Sequence, residues 1–163
     1  MRLFKVWYHI CTFFKYILLK LLYRNQISFG KRITWRKRFM ILLDKKATIE
    51  IGDDCFFNND CSINALKSIK IGKGSIFGEG VKIYDHNHKF SDLQKNIKNQ
   101  GFVSDEITIG NHCWIGSNVI ILKGAKISDN CVIGAGVVVR EFIPANTIVK
   151  QNLYITEKIR IEN

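Results

Sequence analysis

Proline is almost missing from this chain: Pro144 stands alone among 163 residues. Pro-rich linkers and collagen-like repeats are thereby excluded. The five cysteines are odd in number and form no C-x-x-C pair, so neither a zinc module nor a disulfide framework is indicated. Free thiols used as small apolar residues suit a reducing cytosol, and no N-x-S/T sequon is present. No uninterrupted apolar run reaches the ~20 residues of a bilayer span. Acids are scarce at the start: residues 1–46 hold 12 Lys/Arg against Asp44 alone, whereas residues 47–163 hold 13 of each sign. The net charge of +11 thus belongs to an N-terminal segment, and the rest of the chain is balanced. With 47% apolar residues the chain has material for one packed domain.

What the N-terminal segment does have is grease with a basic edge. Residues 3–23 are mostly apolar, broken by Lys5, His9, Lys15 and Lys20. On a helical wheel Arg2, Lys5, His9, Thr12, Lys15, Lys20 and Arg24 fall in one half, opposite Leu, Ile, Phe, Val and Trp. That is the pattern of a helix lying in a membrane interface. A second basic cluster follows, Lys31, Arg32, Arg36, Lys37 and Arg38, interleaved with Trp35, Phe39 and Met40. An anionic membrane surface is the expected partner of residues 1–46, and nucleic acid is not. The protein is expected in the cytoplasm, peripheral on the inner face of a bacterial plasma membrane. A cleaved signal peptide is the rival reading, but the two lysines interrupt its apolar stretch and no A-x-A site follows. Packing of the helix on the domain or on a neighbouring subunit is the other.

From residue 47 to 150 the chain has a beat of six. Ile51, Phe57 and Ile63 are followed by Ile71, Phe77 and Ile83, then by Ile109, Ile115, Ile121, Ile127, Ile133 and Val139. A further apolar or small residue precedes each by two, and Gly often follows, as at Gly52, Gly72, Gly78, Gly110, Gly116 and Gly134. Residues two apart share one side of a strand. A turn after each pair, with Gly tolerating positive φ, folds three short strands into a triangular coil. Stacked coils make a parallel β-helix, and twelve hexads make about four coils. Residues 151–163 form a tail, and Ile148, Val149, Leu153 and Ile155 are expected to help cap the last coil. Cys55, Cys61, Cys113 and Cys131 keep the beat and are expected inside. The beat breaks by two residues after Ile63 and by 20 after Ile83, where an excursion over roughly Asp85–Glu106 follows, starting Tyr84-Asp85-His86-Asn87-His88. Excursions of that length in a compact solenoid are usually functional.

The hexads, the Asp-His-Asn-His loop and the run IGNHCWIGSNVIILKGAKISDNCVIGAGVVV resemble the hexapeptide-repeat O-acetyltransferases, including galactoside/maltose acetyltransferases and those of capsule and lipopolysaccharide synthesis. The resemblance covers residues 47–150. It implies a left-handed β-helix, a homotrimer, acetyl-CoA as donor, a sugar or glycan acceptor, and an active site between neighbouring prisms. It implies His88 as catalytic base, with His86 as competitor or neighbour beside Asp85, and Asn58 as an acceptor contact. Asp85 is a candidate substrate contact. Coenzyme A is expected along Trp114, Ser117, Ala135 and Gly136, with Arg140 near a phosphate, although Glu141 would repel one. No metal is needed.

The residue types fit the chemistry. A neutral imidazole can take a sugar hydroxyl's proton as it attacks a thioester, and a fixed N–H from the Trp114–Ser117 turn can hold the oxyanion. Two other readings remain at this point. A γ-carbonic-anhydrase-like metalloenzyme would need three histidines, here His86, His88 and His112, to converge across a subunit interface. A non-catalytic membrane scaffold would bind no coenzyme A.

Overall fold

The computed structural model describes the backbone of residues 2–150 and the side chains of residues 12–150. A helix, α1 (Arg2–Tyr23), leads into a prism of three parallel sheets. Face A stacks Ile27–Phe29, Thr48–Ile51, Ser68–Ile71, Ile107–Ile109, Lys126–Ile127 and Phe142–Ile143. Face B stacks Thr34–Trp35, Phe56–Phe57, Ile76–Phe77, Trp114–Ile115, Val132–Ile133 and Ile148–Val149. Face C stacks Met40–Leu43, Ser62–Ala65, Lys82–Tyr84, Ile120–Leu122 and Val138–Val139. Among the described residues, five coils are three-sided and the sixth has two sides. The fold is the expected mainly β solenoid of parallel sheets with one N-terminal helix.

The prism is longer than the aliphatic beat suggests, about six coils in place of four. Coil 1 lies within residues 1–46 and pairs in register with coil 2: Ile27 with Ile49, Trp35 with Phe57, Ile41 with Ile63. Its signal is hidden because Trp35 and Phe39 fill inward positions and Arg32 and Arg38 take the left-handed corners, at φ of 56° each. The second basic cluster is therefore the corners of a coil. At the other end Ile148–Val149 is a strand on Val132–Ile133. Leu153 and Ile155, expected in the cap, lie outside the described residues.

Inside, identical positions stack in columns. Ile51, Ile71, Ile109 and Ile127 line face A, and Ile63, Ile83, Ile121 and Val139 line face C. The lower prism is aromatic: Trp35, Phe39, Phe57 and Phe77 follow one another with ring centroids 5.2, 4.7 and 4.5 Å apart. The four cysteines are buried as expected, and each thiol meets a carbonyl of the next coil. Burial pushes the Cys61 thiol up to about 11, which makes it a core group and not a nucleophile.

The glycines that keep the beat serve close approach. None of Gly52, Gly72, Gly78, Gly110, Gly116 and Gly134 has positive φ. A Cβ on Gly78 would lie 2.5 Å from the Ser117 nitrogen of the coil above, and on Gly116 it would lie 2.6 Å from the Ala135 nitrogen. The left-handed residue comes two positions later, as Asp54, Gly80, His112, Asn118 or Gly136.

Helix α1 closes the first-coil end. Leu19 is buried in the core, Tyr16 and Tyr23 pack on it, and Tyr16 meets Phe29 with ring centroids 5.2 Å apart. Thr12 Oγ1 donates to the Trp35 carbonyl at 3.4 Å, and Lys15 Nζ donates to the Phe39 carbonyl. Burial lowers the Lys15 pKa from the usual ammonium range. These contacts satisfy part of an otherwise bare coil edge. So the face carrying Thr12 and Lys15 turns toward the prism. Phe13, Phe14, Ile17, Leu18, Leu21 and Leu22 are left exposed. Among the described residues no helix is long and apolar enough to cross a membrane.

Candidate active site

The excursion between coils 3 and 4 is a hairpin. Strand His86–His88 pairs antiparallel with Phe102–Ser104, His86 opposite Ser104 and His88 opposite Phe102. Two residues apart on one strand, the imidazoles share a side of the hairpin. Both meet the Phe102 ring, His88 at 4.4 Å between centroids and His86 edge-on at 5.4 Å. The far end is tied by Gln100, whose Oε1 accepts from the Asp92 N–H at 3.0 Å and whose Nε2 donates to the Asp92 and Lys95 carbonyls at 2.8 and 2.9 Å. The near end is closed by Asp105 N–H on the Asp85 carbonyl at 2.8 Å and by a Lys67–Asp105 ion pair at 3.0 Å. The hydrogen bond in that pair holds the Asp105 carboxyl below its usual range and the Lys67 ammonium above its own.

Asp85 has no solvent exposure. Its Oδ1 accepts the Leu66 N–H at 2.8 Å, and its Oδ2 accepts the Lys67 N–H at 2.7 Å. Leu66 and Lys67 are the two residues by which the beat slips after coil 2. The slip makes a turn whose N–H groups seat the carboxylate. Oδ1 also lies 3.0 Å from His86 Nδ1. An N–H on Nδ1 leaves the Nε2 lone pair of His86 as the basic atom. A carboxylate so enclosed orients the groups around it.

The other candidates divide between two corners of the prism. The turns joining face B to face C stack one above another and carry Arg36, Asn58, Ser117, and Ala135 with Gly136. Trp114, exposed on face B, stands beside them. Asn58 Oδ1 accepts from Arg36 Nη1 at 3.1 Å and from the Asn59 N–H at 2.8 Å, so its amide nitrogen is the group left to meet a ligand. The turns joining face C to face A carry Asp85, the histidine hairpin and, two coils above it, Arg140. Within one chain, then, His86 and His88 are apart from Asn58 and from the Trp114–Gly136 column, and Arg140 sides with the histidines. His112 occupies the third kind of corner, between faces A and B, beneath Asn130 and above Gly74. The three histidines of a metal reading do not converge in one chain. Shallow hollows of the isolated chain run along face A beside Glu50, Lys70, Thr108 and Asp129, away from the hairpin.

One feature of the Ser117 turn was not legible in the motif. At several corners a turn N–H is capped by a side chain of the coil above: Lys31 by Asp53 at 2.7 Å, Lys37 by Asn59 at 3.2 Å, Lys73 by Asn111 at 3.0 Å, Asn111 by Asp129 at 2.8 Å. Above Ser117 the equivalent residue is Ala135, which has no acceptor. The Trp114, Gly116 and Asn118 N–H groups are bonded to carbonyls. Among the described residues nothing accepts from the Ser117 N–H. A donor held by rigid backbone with no internal partner can receive a carbonyl or an oxyanion.

Comparison with known proteins bears on this geometry. Residues 106–141 match the bacterial transferase hexapeptide (six repeats) family model. A maltose O-acetyltransferase of Clostridium difficile 630 is 35% identical, with 79% of this chain and 67% of that chain covered and a TM-score of 0.65. The chain belongs to the hexapeptide-repeat acetyltransferase family. It is 29% identical to WbbJ of Escherichia coli, named for lipopolysaccharide biosynthesis O-acetyl transfer, over 87% of this chain and 85% of WbbJ. A hexapeptide-repeat acetyltransferase from Vibrio cholerae, solved with acetyl coenzyme A, is 25% identical, with 78% and 68% of the two chains covered and a TM-score of 0.67. The matched stretch spans 34% and 49% of two further, longer acetyltransferase relatives.

Proposed function

We propose that the protein transfers an acetyl group from acetyl-CoA to a sugar hydroxyl in the synthesis of capsule, exopolysaccharide or lipopolysaccharide, and works as a homotrimer. The observation that carries this reading is the division of the candidate residues between two corners. A single prism keeps the histidines from Asn58 and the open Ser117 N–H. Adjacent prisms packed corner to corner would join them. Kinship with a maltose O-acetyltransferase and with WbbJ supports a sugar hydroxyl as acceptor. Coenzyme A would lie along Trp114, Ser117, Ala135 and Gly136 of one copy, with Arg140 of the neighbour available to a phosphate.

In this scheme His88 takes the proton from the acceptor hydroxyl as the oxygen attacks the thioester carbonyl. The Ser117 N–H receives the oxyanion. Collapse of the tetrahedral intermediate releases the coenzyme A thiolate, to which the His88 proton passes. Asn58 steers the acceptor. His86, fixed by Asp85, sits beside His88 and orients the hairpin. The Asp85–His86 contact favours a second reading in which His86 is itself the base. His88→Ala should lower kcat at least ~100-fold at unchanged coenzyme A affinity. If His86→Ala is the dead variant while His88→Ala remains active, the base is His86. An anionic membrane surface is the expected setting of this activity.

A further inference from the structure

We infer that the first-coil end of the prism is a membrane-docking base, on which the β-helix stands end-on with its axis along the bilayer normal. Two observations converge on the same end. The first is the orientation of α1. Its Thr12, Lys15, Tyr16, Leu19 and Tyr23 side is used up in closing the prism, so the opposite side, with Leu21 69% and Phe14 66% exposed, faces away from the protein. An in-plane helix usually turns its polar face to water. Here the prism takes that place.

The second is the charge around it. All three corners of coil 1 carry exposed cations: Lys31 and Arg32, then Arg36, Lys37 and Arg38, then Lys45 and Lys46. Asp44 is the single acid of that coil, and α1 has none. Arg32 and Arg38 brace Asp54 and Asp60 of coil 2. Coil 2 carries the acids Glu50, Asp53, Asp54 and Asp60. Charge thus alternates along the axis, positive at the helix end and negative behind it, and an anionic surface attracts the positive end first. An apolar face framed by a cationic ring fits acyl chains under anionic headgroups. A protein partner for the same face would need acids facing Lys31, Arg36, Lys45 and Lys46.

The docking fixes a height for the chemistry. The histidine hairpin leaves face C at coil 3, two strand spacings or about 10 Å above coil 1. The helix adds about 10 Å below. With the apolar face sunk about 5–10 Å into the interface, the hairpin stands roughly 10–15 Å above the membrane surface. Resting on the function proposed above, that height suits a glycan carried on a membrane anchor more than a free sugar.

The test uses full-length protein with vesicles of phosphatidylcholine alone or mixed with phosphatidylglycerol. The wild type should float with the mixed vesicles and be partly released by salt. Leu18→Glu/Leu21→Glu, at exposed positions, should abolish flotation while keeping the circular dichroism and coenzyme A binding of the wild type. Lys45→Gln/Lys46→Gln should weaken binding to the mixed vesicles about thirty-fold. A fluorescent residue at position 45 should be quenched by a headgroup-linked quencher, and one at position 145, in coil 6, should not. Equal quenching at both positions means side-on binding and overturns the inference. So does a wild type that never floats, or a Leu18→Glu/Leu21→Glu variant that floats unchanged. If that variant instead dissociates a larger assembly, the face belongs to copies of the chain and the inference fails. None of these outcomes depends on acetyl transfer. Failure of coenzyme A binding would strike the proposed function and leave the docking intact.

Discussion

A carboxylate without solvent exposure must find donors or lose its charge. Asp85 finds the N–H groups of Leu66 and Lys67 and faces His86 Nδ1 at 3.0 Å. Its part is therefore to hold a turn and a ring in place. Asp85→Ala should strand two partly buried N–H donors and cost about 1–3 kcal/mol in urea unfolding. Asp85→Asn keeps one acceptor oxygen and the volume. It should fold but show a lower kcat with KM nearly unchanged, as expected of a positioning residue. A loss smaller than about 1 kcal/mol for Asp85→Ala would mean that water replaces the carboxylate and that the turn does not depend on it. Ser117 illustrates the complementary case. Its N–H is open because of what residue 135, one coil away, lacks.

At the scale of the coil, stability comes from columns of like residues and from corners close enough to hydrogen-bond. Glycine at the beat position serves that closeness. Gly78→Ala would press a Cβ to 2.5 Å from the Ser117 nitrogen, backbone that cannot step aside without unstacking coils 3 and 4. A cost of about 1–3 kcal/mol is expected from thermal or urea unfolding. Gly101→Ala in the hairpin has nothing within 4 Å, and its φ of +77° alone should cost about 1 kcal/mol. A harmless Gly78→Ala would show that the coils can separate locally. The hairpin follows different rules, being an antiparallel element pinned at its base by Asp85 and Lys67 and at its far end by Gln100.

For the whole molecule the separation of corners is decisive. If His88 of one copy works with Asn58 of the next, two dead variants can complement each other. Mixed trimers of His88→Ala and Asn58→Ala should regain about a quarter of wild-type activity, the chance that a random interface joins an intact His88 to an intact Asn58. Each variant alone should stay inactive. Mixtures no more active than their parts would place both residues in one chain's site, against the geometry of the prism. Light scattering that returns an active monomer would remove the shared site altogether.

Spacing along the chain determined the solenoid. A pair of apolar residues two apart, repeated every six, can be buried only if three short strands close a coil, so the inward columns from Ile49 to Val139 were readable as sequence. The buried cysteines and the position of the excursion followed from the same arithmetic. Coil 1 escaped it because aromatic rings and left-handed arginines replace the aliphatic-glycine beat, although they occupy the same positions. What the linear order could not hold was which corner each residue reaches. Corner identity depends on how many residues each turn consumes, and the slip at Leu66 and Lys67 is visible as chemistry only when Asp85 lies against it. The side of α1 that faces out was likewise settled by packing: the lysine and threonine that read as a water-facing edge close the prism, and the apolar edge is left uncovered.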